Sequence, residues 1–162
     1  MRNPDVYIGG KEDPYIKRWW LIPRNKLPFN IYLHNQLKDD PGEELHDHPW
    51  WFISIILKGG YIEIEPGNRN FWKLLAALYP KTGIWKKLTH IEKTRRAGDI
   101  IFRKAPYPHR LKLRAGPSWS IIITGRPRRP WGFYTEHGWI NHNDHVINEN
   151  GVSEYKKSGL GV

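Results

Sequence analysis

The hydrophobic pattern of this chain consists of short apolar runs rather than long ones. Segments rich in Ile, Leu, Trp, Tyr and Phe recur at fairly even intervals and are separated by clusters of Gly and Pro. This pattern is typical of an antiparallel β-sandwich or a closed β-barrel. It predicts eight strands, over residues 19–22, 31–35, 50–57, 61–65, 87–94, 99–103, 110–114 and 119–124.

Two segments depart from the simple alternation of a half-buried strand. Between residues 50 and 57 apolar side chains occupy both parities, which predicts a strand that is buried on both faces and lies centrally in its sheet. Residues 70–79 have the best helical character of the chain and end before Pro80, so we expect a short helix inserted in the barrel. The predicted class is therefore all-β with one short helix.

The polar residues that point to chemistry are three histidines. His46 and His48 form a His-x-His pair, and alternate residues of an extended strand point to the same side. His109 follows a glycine turn, a short apolar strand and a proline-containing bend. Three converging imidazoles suit iron, nickel, copper or zinc and leave coordination positions open. The alternative is that each of the three is an ordinary loop or core histidine. His34, on a predicted strand, is expected to be packed or hydrogen-bonded; a second possible role is to support the metal ligands without binding the metal itself.

Around these histidines the sequence resembles the two motifs of the cupin superfamily, G-x5-H-x-H-x(3,4)-E-x6-G and G-x5-P-x-G-x2-H-x3-N. The resemblance covers roughly residues 40–125. The chain as a whole also resembles a group of small phage and bacterial cupin-like proteins of unassigned activity. The matching positions are Gly42, His46, His48, Gly59 or Gly60, Gly98 and His109.

The motifs also show departures. The position of the acidic ligand falls on Phe52 or Ile53, and the proline, glycine and asparagine of the second motif are replaced by Lys104, Pro106 and Leu113. The resemblance implies the cupin fold, a jelly-roll barrel also called a double-stranded β-helix. It further implies a metal site of three histidines without the carboxylate that many cupins add.

From the resemblance we expect a metal-dependent enzyme. The favoured function is that of a non-haem Fe(II) dioxygenase or related oxidoreductase acting on a small anionic substrate, with nickel, manganese and zinc as alternative ions. A redox-inert ion would instead support a hydrolase or an isomerase. Arg103 is the candidate substrate clamp, although a salt bridge at the rim is the alternative, and Tyr107 is the candidate proton donor, although packing is the alternative. The competing hypothesis is a non-catalytic module that binds a small ligand, nucleic acid or a host protein.

Length and composition limit these options. The 162 residues are expected to form one domain, with the barrel core at about 30–125 and a tail at 126–162 that packs on or caps the barrel. The chain has no cysteine, which excludes disulfides, thiolate ligands and a cysteine nucleophile. It has no apolar run long enough for a membrane span and no apolar segment at the N-terminus, so we expect a cytoplasmic protein.

The charge balance is strongly basic. Lys and Arg number 26 against 16 acids, which gives a formal net charge of +10 and should attract anionic partners. The basic residues are scattered and no nucleic-acid-binding motif is visible, so nucleic acid is not the favoured partner. Because cupins commonly pair, a homodimer is expected.

Overall fold

The computed structural model describes residues 2–68, 70, 89–135, 137–147 and 153–155. Within these residues all the strand pairs are antiparallel. No described helix is both long and apolar enough to cross a membrane. The strands are β1 (Val6–Ile8), β2 (Ile16–Trp20), β3 (Phe29–Gln36), β4 (Leu45–His46), β5 (Phe52–Lys58), β6 (Gly60–Pro66), β7 (His90–Arg96), β8 (Ile100–Arg103), β9 (Arg110–Leu113), β10 (Ser118–Gly125), β11 (Gly132–Thr135), β12 (Gly138–Asn141), β13 (His145–Ile147) and β14 (Ser153–Tyr155).

The strands form the two facing layers of a jelly-roll barrel. The larger sheet has the order β1-β2-β3-β10-β5-β8. The opposite layer contains β7-β6-β9 and β12-β11-β4, and a single bridge between His46 and His109 joins these two parts. The predicted all-β jelly-roll class is therefore confirmed.

The eight predicted strands are all present, as β2, β3 and β5 to β10. The predicted helix at 70–79 lies, apart from Asn70, outside the described residues. The strand predicted at 50–57 is internal to the larger sheet, between β10 and β8, but the prediction that both of its faces are buried was wrong. Ile56 is 1% exposed on one face, whereas Leu57 is 49% exposed on the other, because the second set of apolar side chains lies on the outside of the barrel.

The larger sheet has an unusual distribution of polarity. Its strands turn buried polar side chains toward the barrel interior, and the alternate positions that face outward are apolar. The barrel therefore encloses hydrogen-bonding groups instead of a purely hydrocarbon core. The buried polar residues on this sheet are Asn30, Asn35, Gln36, Ser54, Arg103, Ser118, Ser120 and Thr124.

Candidate metal site

The structure brings the three predicted ligands together. His46 ends β4, His48 lies two residues later, and His109 immediately precedes β9. The ring centroids are 5.1 Å apart in each of the three pairs, so the imidazoles surround one point almost symmetrically. One ligand nitrogen from each ring lies within 4.8 Å of the others, and no second group of this kind occurs in the part of the chain that the structure describes.

Backbone hydrogen bonds position all three histidines. The amide of His46 donates to the carbonyl of His109, and the amide of His109 donates back to His46, both at 2.9 Å. The amide of His48 donates to the carbonyl of Ala105 at 3.0 Å. All three ligands are thus tied to the backbone around residues 105–109, which fixes their spacing independently of any ion.

The ring nitrogens fit a mononuclear metal site. The Nε2 atoms of His48 and His109 are 2.9 Å apart. Two nitrogens that each lie about 2.1 Å from one ion, at a right angle, are separated by about 3.0 Å. The Nδ1–H of His109 donates to Glu63 Oε1 at 3.2 Å, which leaves Nε2 as the free ligand atom. A carboxylate behind a ligating histidine is the usual way in which proteins orient such a ring.

The protonation states also favour metal binding. Burial is the main cause that lowers the pKa of His46 well below its usual range, with smaller contributions from His109 and Arg110. Burial is likewise the main cause of the strongly lowered pKa of His48, followed by His46 and His109. Both rings are therefore neutral near pH 7, which is the form that binds a metal.

Glu63 is the centre of a buried ionic network behind the site. It is 1% exposed, and it accepts hydrogen bonds from Arg103 Nε at 2.9 Å and Arg95 Nε at 2.8 Å in addition to that from His109. Burial by itself would raise the pKa of Glu63, but the hydrogen bonds and charges of His109 and Arg103 outweigh it, and the pKa is lowered. Glu63 is therefore an ionised anchor for His109.

Arg103 and Tyr107, the predicted substrate clamp and proton donor, belong to the same network. Arg103 is 8% exposed, and its guanidinium contacts Glu63 and Glu65 while lying 4.4 Å from the ring centre of Tyr107. The hydroxyl of Tyr107 donates to Glu65. The two alternatives for Arg103 were a substrate clamp and a salt bridge at the rim. The contacts in the structure are those of a salt bridge, but Arg103 is buried and does not lie at the rim. Direct roles for both residues in substrate binding or proton transfer stay predictions.

The position that carries an acid in the cupin motif is occupied by an aromatic ring. Phe52 packs edge-on against His48, with ring centroids 4.9 Å apart, and is 5.5 Å from His109. Asp40 is the acid near His46, with its Oδ2 atom 3.9 Å from Nδ1. Burial raises the pKa of Asp40 to about 6, and the same carboxylate accepts a hydrogen bond from the Leu111 amide at 2.7 Å.

Asp47, between the two ligands of the His-x-His pair, points away from them and is completely buried. Its carboxylate accepts hydrogen bonds from Arg129 at 2.7 Å, the amide of Gly132 at 2.9 Å and the hydroxyl of Tyr134 at 2.8 Å. The same segment pairs β11 with β4, so residues after 126 form part of the sheet that carries His46. Asp47 thus ties the ligand loop to the C-terminal strands.

The histidines line a cavity of about 290 Å³ in the barrel. Trp131 and Phe133 form one wall and lie 6.4 and 6.0 Å from His46, measured between ring centroids. The remaining histidines lie elsewhere: His142 and His145 stack on Trp131 and Phe133, and His90 and His137 are exposed. His34, expected to be packed or hydrogen-bonded, accepts a hydrogen bond from Arg18 inside the cavity.

Sequence reasoning missed Glu63, although a signal was present. The residues Tyr61, Glu63 and Glu65 alternate along a predicted strand and therefore share one face. Glu63 and Glu65 therefore lie on one face of a predicted strand. This arrangement would have justified a search for Lys, Arg or His side chains that face the two carboxylates.

Comparison with known proteins supports the fold and not a particular activity. No protein-family model matches the chain, and no curated protein matches it in sequence. The cupin-2 domain protein of Rhodospirillum rubrum is similar in structure, with 15% identity and a TM-score of 0.51 over 81% of this chain and 74% of that one. Fe(II) HppE in complex with its substrate is similar at 14% identity and a TM-score of 0.50, over 75% of this chain and 56% of that one.

The DMSP lyase DddQ of Ruegeria pomeroyi DSS-3 is also similar, with 14% identity and a TM-score of 0.47 over 78% of this chain. Our chain spans little more than half the length of this lyase, 55%, and a similar share of HppE. Likeness at this level concerns the arrangement of the strands. Together with the jelly-roll topology, the similarity to the cupin-2 domain protein and to HppE shows that the chain has the cupin fold.

Proposed function

We propose that this protein is a metal-dependent cupin enzyme whose ion is held by His46, His48 and His109. The observation that carries this proposal is the meeting of three imidazoles around one point on the wall of a cavity, two of them kept neutral by burial. Fe(II) is the favoured ion, since a structure of the same fold holds Fe(II). Nickel, manganese and zinc are the alternatives, because neutral imidazole or open mixed sites accept them too.

The proposed reaction is that of a dioxygenase or related oxidoreductase on a small anionic molecule. An ion bound by three protein ligands keeps positions open and supplies redox chemistry there. The residues of this chain contribute the rest. Glu63 orients His109, while Trp131, Phe133 and Phe52 exclude water from the ligands and shape the space beside them.

Elemental analysis of the freshly purified protein tests the proposal, with a His46→Ala/His48→Ala double variant beside the wild type. We expect about one equivalent of ion in the wild type and none in the variant, because one remaining imidazole binds weakly. A His90→Ala/His137→Ala double variant, which removes two exposed histidines, is the matched control and should keep its metal.

If the wild type stays free of metal after anaerobic reconstitution with Fe(II), the enzyme proposal fails and the hypothesis of a non-catalytic binding module takes its place. If the ion is present, oxygen consumption with candidate substrates distinguishes a dioxygenase from a hydrolase or an isomerase.

A further inference from the structure

The cavity beside the three histidines contains one basic side chain among its described lining residues, that of Arg18 on β2. Arg18 is paired with His34 of β3 in the sheet register. Its Nε–H donates to Nε2 of His34 at 2.7 Å, and its guanidinium carbon lies 4.8 Å from the centre of the Tyr32 ring. The guanidinium is therefore held in place by an imidazole and an aromatic ring.

No carboxylate among the described residues forms an ion pair with Arg18. The two acids that line the cavity are engaged elsewhere: Glu63 binds Arg103 and Arg95, and Asp40 accepts from the backbone of Leu111. The hydrogen bond to His34 uses only Nε, so the two terminal nitrogens of Arg18 have no partner in the described part of the chain.

An arginine in such a place carries a free-energy cost. Burial lowers the pKa of Arg18, because the partly buried charged form loses some of its water without gaining an ion-pair partner. An anionic ligand in the cavity would supply that charge. By contrast, Arg103 in the same barrel is paired with two carboxylates.

We propose that Arg18, oriented by His34 and Tyr32, binds the carboxylate group of a small monocarboxylic acid whose remaining part extends toward His46, His48 and His109. The inference rests on the proposed function, since it assigns the substrate class of that same site. Arg18 is a binding residue, and His34 is a positioning residue that acts through it.

The choice of a carboxylate follows from charge and shape. The two terminal N–H groups of a guanidinium form a planar fork that matches the two oxygens of a carboxylate. A phosphate dianion would need a second cation at Arg18, and apart from the proposed ion at the three histidines the described lining residues include no other Lys or Arg. The cavity, about 290 Å³, lies at the small end of ligand sites, which favours a compact molecule.

The location relative to the histidines is consistent with one shared ligand. Arg18 and His34 line the same cavity as His46, His48 and His109. Tyr15 also lines the cavity, and burial raises the pKa of its hydroxyl to about 12, so that it stays protonated as a further hydrogen-bond donor.

Calorimetric titration with sodium butyrate, butyramide and inorganic phosphate tests the proposal. We expect the wild type to bind butyrate at least tenfold more tightly than butyramide, its neutral isostere, and more tightly than phosphate. Arg18→Met should weaken butyrate binding at least tenfold. Lys17→Met is the matched control, because it removes the same charge from the adjacent position of β2, which is not among the cavity-lining residues, and it should leave binding within twofold of the wild type.

Each titration is made with protein as purified and with protein dialysed against EDTA, after circular dichroism has shown that every variant is folded. If Arg18→Met does not fold, Arg18→Lys takes its place; it keeps the charge but loses the planar fork, and it should still weaken butyrate binding. The proposal is overturned if the wild type fails to bind butyrate, if it prefers phosphate, or if the Arg18 variant binds butyrate as the wild type does.

These results are separable from those on the metal. Loss of butyrate binding in the Arg18 variant, in protein that holds no ion, supports the anion site even where the metal proposal fails. Retention of one metal equivalent together with butyrate binding that is independent of Arg18 refutes the anion site and leaves the metal proposal standing.

Discussion

Substitution of Glu63 by alanine is expected to lower the free energy of unfolding by about 3–5 kcal/mol, the usual cost of removing one partner from a buried ionic network. The carboxylate is 1% exposed, and its removal leaves the guanidinium groups of Arg103 and Arg95 without their main acceptor. Urea unfolding followed by tryptophan fluorescence measures the loss, and an unchanged m-value would show that the two-state comparison holds.

Glu92→Ala is the matched control for this experiment. Glu92 lies on β7, in register with Ile64 of β6, and is exposed, so its loss should cost no more than about 0.5 kcal/mol. A loss of less than 1 kcal/mol for Glu63→Ala would contradict the ionic network described here.

Glu63→Gln separates the stability of the barrel from the orientation of the metal ligand. Glutamine keeps the size and one acceptor atom, so the protein should fold, but the charged acceptor behind His109 Nδ1 is lost. Substitutions of such partners lower metal affinity by about tenfold to a hundredfold. Competition with a chromogenic chelator measures this change, which a purely structural role of Glu63 would not produce.

The second large effect is expected at Asp47. Replacement by alanine should cost about 3 kcal/mol, because the amide of Gly132 and the hydroxyl of Tyr134 lose their acceptor inside the protein, at about 1–3 kcal/mol for each buried group. The charge on Arg129 can be hydrated, since its side chain is 30% exposed, and therefore adds less. Urea unfolding again gives the value.

Asp13→Ala is the appropriate comparison for Asp47, since it removes an aspartate that also forms an ion pair. Its side chain is 78% exposed and pairs with Lys38 at the surface, so the loss should be at most about 1 kcal/mol. If the two variants are equally stable, Asp47 does not tie β4 to β11. A Tyr134→Phe change made in the Asp47→Ala background should then cost less than it does in the wild type, because the shared hydrogen bond is already gone.

Eight of the fourteen described strands and the histidine triad were accessible from the sequence because both depend on local patterns, whereas β1, β4 and β11 to β14 were not predicted. Gly and Pro clusters delimit apolar runs, and the His-x-His spacing has a direct geometric meaning. The ionic network was not accessible for a physical reason. On β6 the usual rule would bury Ile62 and Ile64, but the structure buries Glu63 and Glu65. These two acids are stabilised by Lys93 of the adjacent strand β7 and by Arg103 of the opposite sheet.

Arg18 illustrates a second limit. The first predicted strand covers residues 19–22, which leaves Arg18 outside every predicted strand and gives its side chain no predicted orientation. In the structure β2 begins at Ile16, and its pairing with β3 directs Arg18 into the cavity beside His34. Pairing between strands that are distant in sequence determines which face of a strand points into the barrel. This pairing cannot be read from a single sequence.

The bridge between His46 and His109 has a consequence for the coupling of metal binding to folding. It joins positions 63 residues apart (109 − 46 = 63). Contacts across so long a loop form only after the entropy of closing it has been overcome. The three nitrogens therefore do not exist as a chelating set in the unfolded chain, and any metal that this set binds stabilises the folded barrel against unfolding.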